Sequence, residues 1–69
     1  AEELGRAISR FLRAQKEPAR VVFLRRYWYL DSIEDIARRA GWSKSRVTTT
    51  LHRLRVRLRA HLIQEGIDV

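Results

Sequence analysis

Apolar residues recur at helical spacing along the whole chain, and no segment alternates with a period of two for long, so the pattern predicts an all-α protein built from four helices. In the first, Leu4, Ile8, Phe11 and Leu12 form a stripe with Ala7 beside it, and the helix is expected to end near Gln15. Pro18 suits the first turn of the second helix, where its missing N–H costs nothing. That helix, expected over 19–29, carries Val22, Phe23, Tyr27 and Trp28, and its broad apolar girth marks it as the central one. A third, short helix over 33–39 opens on Ser32. Asp35 lies three residues on, as in a capping box, and Asp31 competes as the cap. Ile33, Ile36, Ala37 and Ala40 face inward, and Gly41 offers the left-handed residue that ends a helix cheaply. Ser43 can cap a fourth helix that reaches about Glu65, with Gly66 to stop it.

Two helices joined by a tight glycine-containing turn, the second one basic, read as a helix-turn-helix. Val47, Leu51, Leu54, Leu58 and Leu62 make the core stripe of the fourth helix, with Val47 and Leu51 directed at Ile33 and Ile36. The opposite side holds Ser45, Arg46, Thr49, His52, Arg53 and Val56, with Thr48 at its edge. In a helix-turn-helix the N-terminal part of the second helix enters the major groove of DNA. Lys44, Ser45, Arg46, Thr48, Thr49, His52 and Arg53 are therefore the expected DNA-contacting residues. Arginine can pair bidentately with guanine, and threonine can hydrogen-bond a base and offer its methyl to thymine. Arg38 and Arg39 suit phosphate contact, while Arg55, Arg57 and Arg59 are expected near phosphates or solvent.

Charge sharpens this picture. The chain has 69 residues and a formal net charge of +7. Positions 36–64 contain no acid but hold Arg38, Arg39, Lys44, Arg46, Arg53, Arg55, Arg57 and Arg59, a block of +8; the rest carries −1. A one-sided basic half is the footprint of a polyanion, most often nucleic acid, although a solvated arginine face kept for solubility has the same composition. The length allows one small domain, and the absence of cysteine fits a reducing, intracellular setting. No apolar run approaches the ~20 residues that cross a bilayer, and the start does not look like a signal peptide. With no methionine, even at position 1, the chain is expected to be a piece of a longer or processed protein. Nothing suggests an enzyme or a cofactor: there is no metal-ligand cluster, and His52 and His61 stand on different azimuths of one helix.

Several side chains have a plainer reading beside the functional one. Thr50 is expected to pack at the flank of the stripe, and His52 is either a DNA contact or a surface histidine. His61 is expected at the surface. Aromatics in small helical domains are mostly core; Trp28 is placed there, Trp42 is expected to plug the core after the turn, and Tyr29 is left open between core and a partner-binding patch.

The run RVVFLRRYWYLDSIEDIARRAGWSKSRVTTTLHRLRVRLRAHL resembles region 4 of the sigma-70 family of bacterial RNA polymerase sigma factors, and is most similar to the short, extracytoplasmic-function-like members. The matching pieces are Arg20, Val22, Phe23, Arg26, Tyr27, the run from Ser32 to Ala37, then Gly41, Ser43, Val47, Leu51, His52 and Arg53, within residues 4–65. The resemblance implies a cytoplasmic four-helix domain without a wing. It would recognise the promoter −35 element while bound to core RNA polymerase, whose β flap docks on an apolar groove for which anti-sigma factors compete. It implies reading residues at Arg46, Thr48, Thr49, His52 and Arg53, and the absence of the upstream region 2. The sequence departs from the family's habit at Leu30 and Asp31, often Gly-Leu there. It departs again at Ser45 and Arg46, often Gly-Thr, and at Thr48, often Lys or Arg, so no base-by-base code is carried over. Two rivals stand beside this reading: the DNA-binding domain of a response regulator with a related four-helix fold, and a basic module that binds an acidic protein.

Overall fold

The computed structural model describes residues 2–67. It contains four helices and, among the described residues, no strand: α1 (Glu2–Ala14), α2 (Ala19–Tyr27), α3 (Ile33–Ala40) and α4 (Lys44–Gln64). The molecule measures 36 × 19 × 19 Å. At ~1.5 Å per residue, the 21 residues of α4 nearly span the long axis, and α4 packs against each of the other three helices. The central helix is thus α4 rather than α2. The reason lies in the leucine face: Val47, Leu51, Leu54 and Leu62 are buried, and Leu58 packs against the same core. A stripe that long gives α1, α2 and α3 a common wall.

The core joins Phe11 of α1, Val22 and Phe23 of α2, Ile36 and Ala37 of α3, and Val47, Leu51 and Leu54 of α4. Leu12, Ala19, Ile33, Trp42 and Leu58 seal its margin. Full burial of one such aliphatic or aromatic side chain contributes about 1.5–3 kcal/mol, set against a backbone ordering cost of about 1–2 kcal/mol for every residue. On α1 the inward stripe is centred on Ala7 and Phe11, while Leu4, at 38% exposure, lies outside it.

Local signals set most helix ends. Ser32 Oγ accepts from Asp35 N at 3.1 Å and Ser43 Oγ from Arg46 N at 3.0 Å, each satisfying an otherwise free N–H of a first turn. The capping box is only half made, because the Asp35 carboxylate pairs with Arg38. Asp31 is not the cap and instead pairs with Arg25 at 3.6 Å. Gly41 ends α3 at φ 71°, which costs a residue without Cβ nothing, and Gly66 takes φ 78° just past α4. Pro18 is the cap position of α2 rather than part of its first turn.

The end of α2 departs most from expectation. The helix stops at Tyr27, two residues early, and Trp28 is 77% exposed instead of buried. Leu30 adopts φ 60° and reverses the chain. The reversal is held by Asp31 N donating to Arg25 O at 2.9 Å and by Arg26 Nη1 donating to Asp31 O at 3.0 Å. Trp28, Tyr29 and Leu30 are thereby carried out of the core, and the guanidinium of Arg25 lies 5.0 Å from the Tyr29 ring centre. Tyr27 is partly exposed as well; its ring packs on Phe23, 4.8 Å between centres, and its hydroxyl accepts from Arg55 Nη1 at 2.5 Å.

His61 is half-buried rather than on the surface. Its Nε2 lies 3.2 Å from Ala7 O and 2.7 Å from Glu65 Oε2, and its ring packs on Phe11 at 5.7 Å between centres.

Candidate nucleic-acid interface

The connection between α3 and α4 consists of Gly41, Trp42 and Ser43 alone. It holds the N-terminal half of α4 with one side on the core and the other in solvent. Lys44, Ser45, Arg46, Thr48, Thr49, His52 and Arg53 are all exposed, as are Arg38 and Arg39 at the end of α3. Thr50 is half-buried at the flank, as its phase predicts. All nine expected DNA-contacting residues therefore lie on the surface.

Their chemistry differs in detail. Thr48 Oγ1 donates to Lys44 O at 2.9 Å, one turn back, so its hydroxyl proton is spent within the helix. What it presents outward is an acceptor oxygen and a methyl group, a combination suited to an amino group or a thymine methyl on a base edge. Weak-propensity threonines are tolerated here because tertiary packing of the leucine face holds the helix. Arg38 is engaged with Asp35, an exposed pair of the kind worth only about 0–1 kcal/mol, so a phosphate can exchange for the carboxylate at little cost. Among the described residues, Lys44, Arg46, Arg53, Arg57 and Arg59 have no carboxylate within salt-bridge distance. Arg55 is set apart from this outward face by its bond to Tyr27.

Arg46 is positioned by an aromatic. Its guanidinium carbon lies 3.9 Å from the centre of the Trp42 ring, within cation–π range. Trp42 itself is half-buried and packs against the core, so it plugs the margin with part of its surface and carries Arg46 on another part. A concavity of about 580 Å³ opens beside this stack, between the N-terminal end of α2 and the first turns of α4. Arg46, Thr49 and Arg53 line it from α4, and Lys16 from the approach to α2. Sequence reasoning missed Lys16. The usable signal was its place just ahead of Pro18, at the mouth of a helix that must pack against the basic one.

A second, larger hollow lies on another side of the molecule. An open groove of about 1120 Å³ runs between α1, α2 and α4, with Leu12, Phe23, Leu24 and Leu58 among its apolar walls and Trp28 at its rim. Arg6 and Arg13 border it.

No family model, curated protein or solved structure matches the chain. No helix among the described residues is long and apolar enough to cross a membrane.

Proposed function

We propose that this chain reads double-stranded DNA, and specifically that it serves as the −35 recognition domain of a bacterial sigma factor in transcription initiation. One observation carries the reading: α4 buries a continuous apolar face and turns outward a half-helix of short hydroxyl side chains and of cations that pair with no carboxylate among the described residues. Cations supply sequence-independent attraction to phosphates, and short side chains let the helix backbone approach base edges. The tight connection through Gly41 supports treating α3 and α4 as a helix-turn-helix, with α4 as the recognition helix and Arg38 and Arg39 beside the DNA backbone.

The sigma assignment rests on the resemblance of the segment from Arg20 to Leu62 to region 4 of that family. The apolar groove between α1, α2 and α4, with exposed Trp28 at its rim, supports it by supplying a surface on which the β flap of core RNA polymerase can dock. In this reading the protein works in the bacterial cytoplasm.

A selection from randomised duplex DNA tests the DNA reading: the expected outcome is enrichment of one short motif, and recovery of unrelated sequences would leave only a basic protein-binding module. Capture of the chain by the isolated β flap separates a sigma domain from the domain of a response regulator. Failure of the flap to bind, with a motif enriched, would favour the response regulator.

A further inference from the structure

Arg46 does not sit at the middle of the outward face of α4. At ~100° per residue it lies about 60° around the helix from Thr49, on the side toward half-buried Thr50 and the N-terminal end of α2. Trp42 holds its guanidinium there, at 3.9 Å from the ring centre. Lys16 lines the same concavity from the opposite wall. Among the described residues neither Lys16 nor Arg46 has a carboxylate partner. The one acid on the wall, Glu17, is bonded to Arg20 Nη2 at 2.8 Å.

We propose that Lys16 and Arg46 form a two-sided clamp for a single DNA backbone phosphate, with Trp42 as the positioning residue that aims Arg46 at that phosphate and away from the base edges. The inference rests on the DNA-binding reading and refines it. It moves Arg46 from base recognition to backbone anchoring and adds Lys16, which lies outside the fourth helix. A guanidinium stacked on an aromatic face keeps its N–H groups pointing along the ring's edges. Here the Arg46 guanidinium, held over Trp42, borders a concavity that Lys16 lines from the α2 side, a setting that suits a tetrahedral anion. A phosphodiester at the margin of the major groove meets this geometry when α4 lies in the groove, because backbone contacts flank the base-reading face.

The test is equilibrium binding of the chain to a short duplex carrying the selected motif and to a scrambled duplex, followed by fluorescence anisotropy over a series of salt concentrations. Lys16→Ala and Arg46→Ala are each expected to weaken both duplexes by the same factor and to lower the log–log salt slope, with the double variant losing about 0.9 in all, the value for one phosphate contact. Trp42→Leu is expected to reproduce part of the Arg46→Ala loss, Trp42→Phe to restore it, and Trp42→Leu to add nothing in an Arg46→Ala background. A loss of discrimination confined to one base pair in Arg46→Ala overturns the proposal, as does full additivity with Trp42→Leu. Should Trp42→Leu fail to fold, the salt slopes of the Lys16 and Arg46 variants decide alone. Unchanged slopes in both, with wild-type binding intact, overturn the clamp only; absence of salt-dependent duplex binding by the wild type overturns the DNA reading with it.

Discussion

Arg10, on α1, donates to the carboxylate of Glu65, the residue that follows α4, and so ties together two points 55 positions apart in the chain. His61 Nε2 meets the other side of the same carboxylate at 2.7 Å. The hydrogen bond from Arg10, reinforced by its charge, holds the Glu65 carboxyl below its ordinary range and raises Arg10 above its own. A lowered carboxylate pKa stabilises the fold above the unfolded-state value of ~4.3 and stops doing so as pH falls through the lowered value. Glu65→Gln should therefore lower the thermal midpoint at neutral pH, and the gap from wild type should close as the solution is acidified below about pH 4. Thermal melts followed by circular dichroism give the comparison, and a gap that stays constant into acid would show that the tie contributes nothing.

The two faces of α4 should respond very differently to truncation. Leu54 is 2% exposed and Val56 is 56% exposed. Leu54→Ala is expected to cost about 2–5 kcal/mol, through lost transfer energy and the cavity left behind, whereas Val56→Ala should stay within about 0.5 kcal/mol. Urea denaturation measures both. Equal effects would contradict the assignment of the packing face.

Leu30 pays for the reversal after α2. A non-glycine residue at φ 60° is strained, by roughly 1–2 kcal/mol, and at 80% exposure Leu30 has little packing to lose. After allowance for glycine's greater freedom when unfolded, Leu30→Gly should stabilise by up to about 1 kcal/mol. A lower denaturation midpoint in the variant would indicate that the Leu30 side chain makes a contribution larger than its exposure suggests.

If Arg53 reads a guanine, Arg53→Ala should cost about 1–3 kcal/mol on the selected duplex and relax preference at one base pair. Arg57, four residues further along and exposed, should weaken all duplexes alike or do little when replaced by alanine. Competition among single-base variants of the selected duplex distinguishes these results.

The helices and most of their ends could be read in the sequence because they depend on local chemistry: leucine spacing on α4, capping serines at 32 and 43, glycines at 41 and 66. What escaped depends on long-range packing. Nothing near Trp28 signals its exposure, since the turn that expels it is made by a leucine in a glycine-like conformation and is tied by the Arg26 side chain to the Asp31 carbonyl and by Asp31 N to the Arg25 carbonyl. His61 did leave a trace. It stands seven positions, two turns, beyond Leu54, so at ~100° per residue its phase is within about 20° of a core residue. Its partner, the Ala7 carbonyl, is invisible until α1 folds back along α4. The candidate DNA face was legible almost completely, because exposure on a helix follows from phase alone. The place of Arg46 at the edge of that face was not, since it is set by Trp42 and the neighbouring end of α2.

On α4 the side chains that build the core and those offered outward share a backbone but belong to separate sets. Ser45, Thr49, His52 and Arg53 are exposed, while Val47, Leu51 and Leu54 lie on the other side of the same turns. Replacement at the outward positions is thus nearly uncoupled from stability. Such a helix can diversify in what it recognises while selection on folding holds the leucine face fixed. Trp42, half in the core and half beneath Arg46, is where those two freedoms meet, and a change there has to satisfy both.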